Sequence, residues 1–137
     1  MPSLPVPGAS EGTWGTELNT WLLTAHNADG TLKDLITIVT AVGTTYTLVL
    51  TDASKVVEFT NSGAVTVTIP PNSSVAFPIG TAILLTQIGT GAVSIAPGSG
   101  VTLNSRANYR KIAAQYSSVS LRKRATDSWI LDGDLIA

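Results

Sequence analysis

Five acids in the latter part of the chain are the candidates for carboxylate chemistry: Asp52, Glu58, Asp127, Asp132 and Asp134. A glycosidase needs two of them positioned on either side of one scissile bond. Most sit instead in turn-type sequence, where aspartate is favoured because its carboxylate bonds nearby backbone. Asp132-Gly133-Asp134 supplies too few ligands for a calcium loop. A Ser-His-Asp arrangement would have to use His26, the single histidine, and no serine stands on a recognisable elbow. With no Asp or Glu at ligand spacing, His26 reads as a capping or packing residue near a helix C-terminus. The chain has no cysteine, which removes thiolate nucleophiles, disulfides and cysteine-based metal sites. Its glycines follow turns and form neither a P-loop nor a dinucleotide-binding pattern. The expectation is a protein that is not an enzyme, with no catalytic residue, cofactor or metal.

Binding chemistry is the alternative. Six of the eight basic residues, Arg106, Arg110, Lys111, Arg122, Lys123 and Arg124, lie in the last third, and Lys33 and Lys55 stand apart. Clustered, they would suit a phosphate, an acidic glycan or an acidic neighbour. Alternation along a strand sends Arg122 and Arg124 to one face and Lys123 to the other, which dilutes a patch. The preferred reading is solvated strands whose charges oppose edge-to-edge pairing, or pairing with acids across a subunit interface. Tyr46, Tyr109, Tyr116 and Trp129 fall inside strand patterns and are expected mostly in the core. Asn104, Arg106, Tyr109 and Arg110 form the candidate ligand surface, because an exposed tyrosine beside basic residues can stack on a sugar.

Composition narrows the partners. A net charge of −1 gives no basic field for nucleic acid. Charged residues make up 12% of the chain, about half the usual share. Ser, Thr, Asn and Gly must therefore cover the surface, leaving area for subunit contacts. No apolar run approaches the roughly 20 residues that span a bilayer. The N-terminus MPSLPVPG lacks the basic and apolar regions of a secretory signal, so synthesis and retention in a cytoplasm are expected.

The elements that must position these residues change character once along the chain. Pro2, Pro5 and Pro7 predict an extended arm, with Leu4 and Val6 available for burial. Trp14, Leu18, Trp21, Leu22 and Ala25 recur at helical spacing and predict one amphipathic helix. Asn27-Ala28-Asp29-Gly30 ends it. A helix this short is marginal in water alone, so it needs a surface. Residues 1–33 are read as an attachment and oligomerisation segment, and 34–137 as a β domain. About eight or nine strands with Gly, Pro and Asn turns predict a mainly β fold, an antiparallel β-sandwich or barrel. Val65 to Ile69 alternates strictly and is expected as a hairpin strand, as is Val93 to Ala96 after Gly89-Thr90-Gly91. Thr81 to Ile88, apolar on both faces, is expected to be central and covered on both sides. No long internal repeat is apparent.

The order of parts is suggestive. Trp14-Gly15-Thr16-Glu17-Leu18-Asn19, then Ala25-His26-Asn27-Ala28-Asp29-Gly30-Thr31-Leu32-Lys33, then a Ser/Thr/Val-rich β region resembles small virion proteins of tailed bacteriophages. In these, WGT-x-LN followed by a helix and HNADGTLK recurs near the start. The resemblance implies a non-enzymatic structural protein of the virion, assembled in the host cytoplasm. It implies a homotrimer joined to other virion proteins by its N-terminal part, without nucleic acid or membrane insertion. Tail fibre or tail tip is the first expectation. A capsid decoration or head-fibre protein, and a head module binding a host-surface glycan or receptor, are the alternatives.

Overall fold

The computed structural model describes residues 36–137. The expected arm and helix, with Leu4, Val6, Trp14, Leu18, Trp21, Leu22, Ala25 and His26, lie outside the described residues. The chain divides into two units between Leu35 and Ile36, and every element below belongs to the second.

That unit is mainly β, with eleven strands: β1 (Ile38–Ala41), β2 (Thr45–Thr47), β3 (Val56–Phe59), β4 (Val65–Ile69), β5 (Ala82–Gln87), β6 (Val93–Pro97), β7 (Thr102–Ser105), β8 (Lys111–Ile112), β9 (Ser118–Ala125), β10 (Ser128–Gly133) and β11 (Leu135–Ile136). They form two mixed sheets. One has the order β1-β3-β5-β9-β10-β7, the other β11-β8-β6-β4-β2. Single turns of 3-10 helix at Leu50–Asp52 and Arg106–Asn108 complete the regular structure.

The first six strands do not pair as the antiparallel expectation required. Successive strands alternate between the two sheets, and β1, β3 and β5 run parallel in one while β2, β4 and β6 run parallel in the other. Each pair, β1 with β2, β3 with β4 and β5 with β6, is one coil of a stack. Thus β4 and β6 are not hairpin strands, and Gly89 to Gly91 is a corner between sheets. Period-two alternation correctly assigns Val65, Val67 and Ile69 to the buried face and Thr66 to the exposed one. It carries no information about the direction of the neighbouring strand, and here the neighbour is the same segment one coil away.

Coils two and three match residue for residue. Val56 lies opposite Leu84 and Val65 opposite Val93, at the same separation along the chain, with no register shift through Ile69 and Pro97. The sequence carries the match as Gly63-Ala64-Val65-Thr66-Val67 against Gly91-Ala92-Val93-Ser94-Ile95. A short internal repeat is therefore present. It escapes notice because the rest of the coil retains only apolar character. The first coil also has a different and shorter offset, from Ile38 to Val56. At the corner the coils touch backbone to backbone. Gly91 N donates to Asn61 O at 3.1 Å, and Gly89 N to Phe59 O at 2.8 Å.

Of the remaining strands, β8 and β9 reverse direction, while β7, β10 and β11 run the same way as the earlier strands of their sheets. β9 inserts antiparallel between β5 and β10, and β8 runs antiparallel beside β6. β9 and β10 form the one sequence-adjacent hairpin among the described strands, turning through Asp127 at φ +52°. Both sheets contribute to one core. Val57, Phe59, Ile83, Leu85, Leu121 and Trp129 from the first meet Val65, Val67, Ile69, Ile95 and Ile112 from the second. Burying each side chain of this size stabilises by about 1.5–3 kcal/mol.

β5 is central, as expected, with β3 and β9 as its neighbours. Ile83 and Leu85 are buried, but Leu84 is 39% exposed and Ala82 is exposed. Among the described residues, therefore, only one of its two faces is covered.

Candidate functional site

The candidate carboxylates are spread through the fold and mostly engaged with local partners. Asp52 is buried, and its Oδ2 accepts from Val49 N at 2.9 Å and closes the 3-10 turn. The Tyr46 hydroxyl donates to the same carboxylate, 3.0 Å from Oδ1 and 3.1 Å from Oδ2. Asp127 Oδ1 accepts from Asn72 N at 2.6 Å, and Asp134 Oδ2 from Ser117 Oγ at 2.6 Å. Glu58 lies opposite Thr40 and Thr86, and Asp132 opposite Ser120. Among the described residues no three His, Cys, Asp or Glu side chains gather in a way that could hold a metal.

The Tyr46–Asp52 pair has a consequence for alkaline stability. Burial, then the hydrogen bond and the negative charge of Asp52, push the Tyr46 phenol up to about 12, against an ordinary value near 10. The folded state holds this proton more tightly than the unfolded chain does. The associated stability is complete below pH 10 and is lost as pH rises toward 12. Urea midpoints measured across this range are expected to fall, and Tyr46→Phe is expected to remove that part of the slope. The Tyr46 ring also meets Phe59 edge-on at 5.8 Å, a contact phenylalanine preserves.

The four residues of the candidate ligand surface lie on one short segment, and two are tied back to it. Arg110 Nη2 donates to Leu103 O at 3.0 Å, and Ser105 Oγ donates to Tyr109 O at 2.6 Å. Asn104 and Arg106 are exposed, whereas Tyr109 and Arg110 are half-buried. Ala107 and Asn108 between them take φ of +52° and +58°, a conformation that costs an alanine about 1–2 kcal/mol. Tyr116, expected in a strand, stands 74% exposed at φ +66° on the turn before β9. Tyr46 and Trp129 join or pack on the core as expected.

The basic residues of β9 separate as alternation predicts, with Arg122 and Arg124 exposed and Lys123 buried. Their proposed role as edge protection does not fit, because β9 is paired on both sides. Lys123 has a different environment, which its residue type alone does not reveal. Its ammonium donates to Asn72 Oδ1 at 2.6 Å and Phe77 O at 2.8 Å, and lies 5.9 Å from the centre of the Trp129 ring. The signal was its place in the Val119-Leu121-Lys123 series of inward positions.

The most distinctive surface is apolar. Ile36, Ile38, Val42, Val49 and Leu50, all in or beside the first coil, are five of nine large exposed hydrophobic residues among those described. On the outer face of the first sheet, Ile38, Val56 and Leu84 stand in one cross-strand row. Beside the row is an apolar hollow of about 270 Å³ lined by Ile36, Val56, Ala82 and Leu84, with Lys55 and Ser54 also contributing. Periodicity in the sequence does not show which strands of a stack lie at its end. Among the described residues no helix is long and apolar enough to cross a membrane. Comparison of the chain with models of protein families, and with curated proteins, finds no match to either.

Proposed function

We propose that this chain is a non-enzymatic structural protein of a tailed-bacteriophage virion, a trimeric tail-fibre or tail-tip component attached through its N-terminal arm and helix. The observation that carries this reading is the segment Trp14 to Lys33, whose WGTELN and HNADGTLK stretches resemble the start of such proteins. The low charge and the uncovered apolar surface of the first coil are consistent with a subunit of an assembly. We read the two sheets, which share one core, as the layers of a β-sandwich. The ligand-binding alternative has one favourable observation, the strained Ala107-Asn108 backbone beside exposed Arg106, since such strain clusters at binding loops.

The test is to label the protein on intact particles and locate it by electron microscopy, comparing wild type with Trp14→Ala and Trp21→Ala. The expected result is label at the tail for wild type. Both variants should lose incorporation while the melting transition of the β unit is unchanged. Label on the capsid would select the decoration alternative. Normal incorporation of both variants would remove the attachment role of the helix.

A further inference from the structure

We propose that Lys123 and Asn72 are a modification site, poised to join their side chains in an intramolecular isopeptide cross-link. The inference is independent of the virion reading and rests on the surroundings of one buried amine. Lys123 is 2% exposed. A lysine buried to this extent is normally paired with a carboxylate. In this fold both of its hydrogen-bond acceptors are uncharged, Asn72 Oδ1 at 2.6 Å and Phe77 O at 2.8 Å. Its third neighbour is the Trp129 ring, 5.9 Å from the ammonium to the ring centre, against which Phe77 packs edge-on. Among the described residues one carboxylate bonds to either partner. It is Asp127, whose Oδ1 accepts from Asn72 N at 2.6 Å.

This arrangement sets an amine nitrogen beside a carboxamide carbon. Asn72 Cγ is bonded to the Oδ1 that Lys123 Nζ already contacts. Asp127 holds the asparagine through its backbone, and Phe77 O and the paired strand β9 hold the lysine. The two groups therefore meet within one molecule with little freedom left to lose. In the step, Nζ attacks Cγ, the Nζ–Cγ bond forms and the Cγ–Nδ2 bond breaks. Two of the three ammonium protons pass to Nδ2, which leaves as an ammonium ion, and the third stays on the new amide nitrogen. Atoms and charge balance with no further reactant. The driving force is electrostatic, because a charge kept in the interior is replaced by a neutral amide and departs to water. The remaining N–H can keep Phe77 O as its acceptor. Asn72 is half-buried, which gives the leaving group a route to solvent. The product ties the loop before β5 to β9 across 51 residues of chain.

The experiment is intact mass spectrometry of the full chain, incubated at neutral pH until its mass stops changing, for wild type, Lys123→Met and Asn72→Ala. Wild type is expected to be lighter than its sequence requires by one ammonia, and both variants to have their full sequence mass. Trypsin cuts after Lys55, Arg106, Arg122 and Arg124. The cross-link should therefore yield a branched fragment in which residues 56–106 are joined to Lys123-Arg124. That fragment is read on wild type alone, so it decides even where a variant fails to fold. Full mass in wild type, or a deficit without the branched fragment, would overturn the proposal. So would a deficit that persists in Lys123→Met, which marks a succinimide at an asparagine. No particle is involved, so a failure here is separate from a failure of the virion assignment.

Discussion

Gly91→Ala will destabilise the β unit by about 3 kcal/mol or more, lowering its melting temperature by roughly 10–20 °C. A β-carbon at position 91 would sit 1.9 Å from Gly63 O and 2.5 Å from its carbonyl carbon. Neither atom belongs to a flexible side chain. The strain can be relieved only by separating the second and third coils at their corner, which breaks the Gly91 N to Asn61 O bond. Gly89→Ala should behave alike, since its β-carbon would lie 2.1 Å from Asn61 O. Gly100→Ala is the control. Its β-carbon meets nothing within 4 Å, and its φ of +80° limits the cost to about 1 kcal/mol. Urea unfolding of the three variants checks the order. Equal midpoints for Gly91→Ala and Gly100→Ala would mean that the coils are not in backbone contact.

Lys123→Ala is the second large effect, expected at about 3 kcal/mol. Each charge-assisted hydrogen bond from the ammonium is worth about 1.5–3 kcal/mol, and there are two. The loss is partly offset because a charged group no longer has to be kept out of water. It is increased by the space the side-chain stem leaves beside Phe77 and Trp129, whose rings meet edge-on at 5.4 Å. The damage should be local first. Lys123 also ties the loop before β5 through its backbone, accepting from Gly80 N and donating to Thr81 O. Amide exchange should therefore quicken in residues 72–81 before the sheets are affected. Lys123→Met keeps most of the volume and isolates the polar part. Phe77 O then remains buried without its donor, so the variant should fall between alanine and wild type.

The strand positions were legible because each depends on local alternation and turn residues. Val65 to Ile69 shows this, with its valines and isoleucine buried, and along Ser118 to Arg124 alternation separated Lys123 from Arg122 and Arg124. Strand direction was not legible. The same alternation serves a hairpin and a coil, and the deciding feature, Gly91 against Gly63, lies in contacts between segments a whole coil apart. The candidate surface at Asn104 to Arg110 was legible as a position. The inward turn of Arg110 toward Leu103 O depends on the backbone path of its loop. Parity separated Lys123 from Arg122 and Arg124 without saying which face was inward, and its partners Asn72 and Phe77 are distant in the chain. The exposed apolar end was hidden for a related reason. Ile38 and Val56 are equivalent outward residues in adjacent strands, and only the stacking order leaves Ile38 more exposed at the end of the row.

The reversed strand β9 also bears on how the chain folds. Partners within the stack are one coil apart, as Ile38 is from Val56 and Val56 from Leu84. Ala82 on β5 meets Arg122 on β9, which is farther along the chain than either. Loop closure over these spans differs by under about 1 kcal/mol, so emergence from the ribosome governs the order more than entropy does. All three coils can form once Pro97 has been made. Until residues 118–125 follow, β5 itself is a sheet edge, with a row of unpaired backbone groups along a strand free of charge and proline. Insertion of β9 covers that edge, so a chain stalled or cut before Ser118 keeps the β5 edge bare and is a form that a chaperone would have to shield.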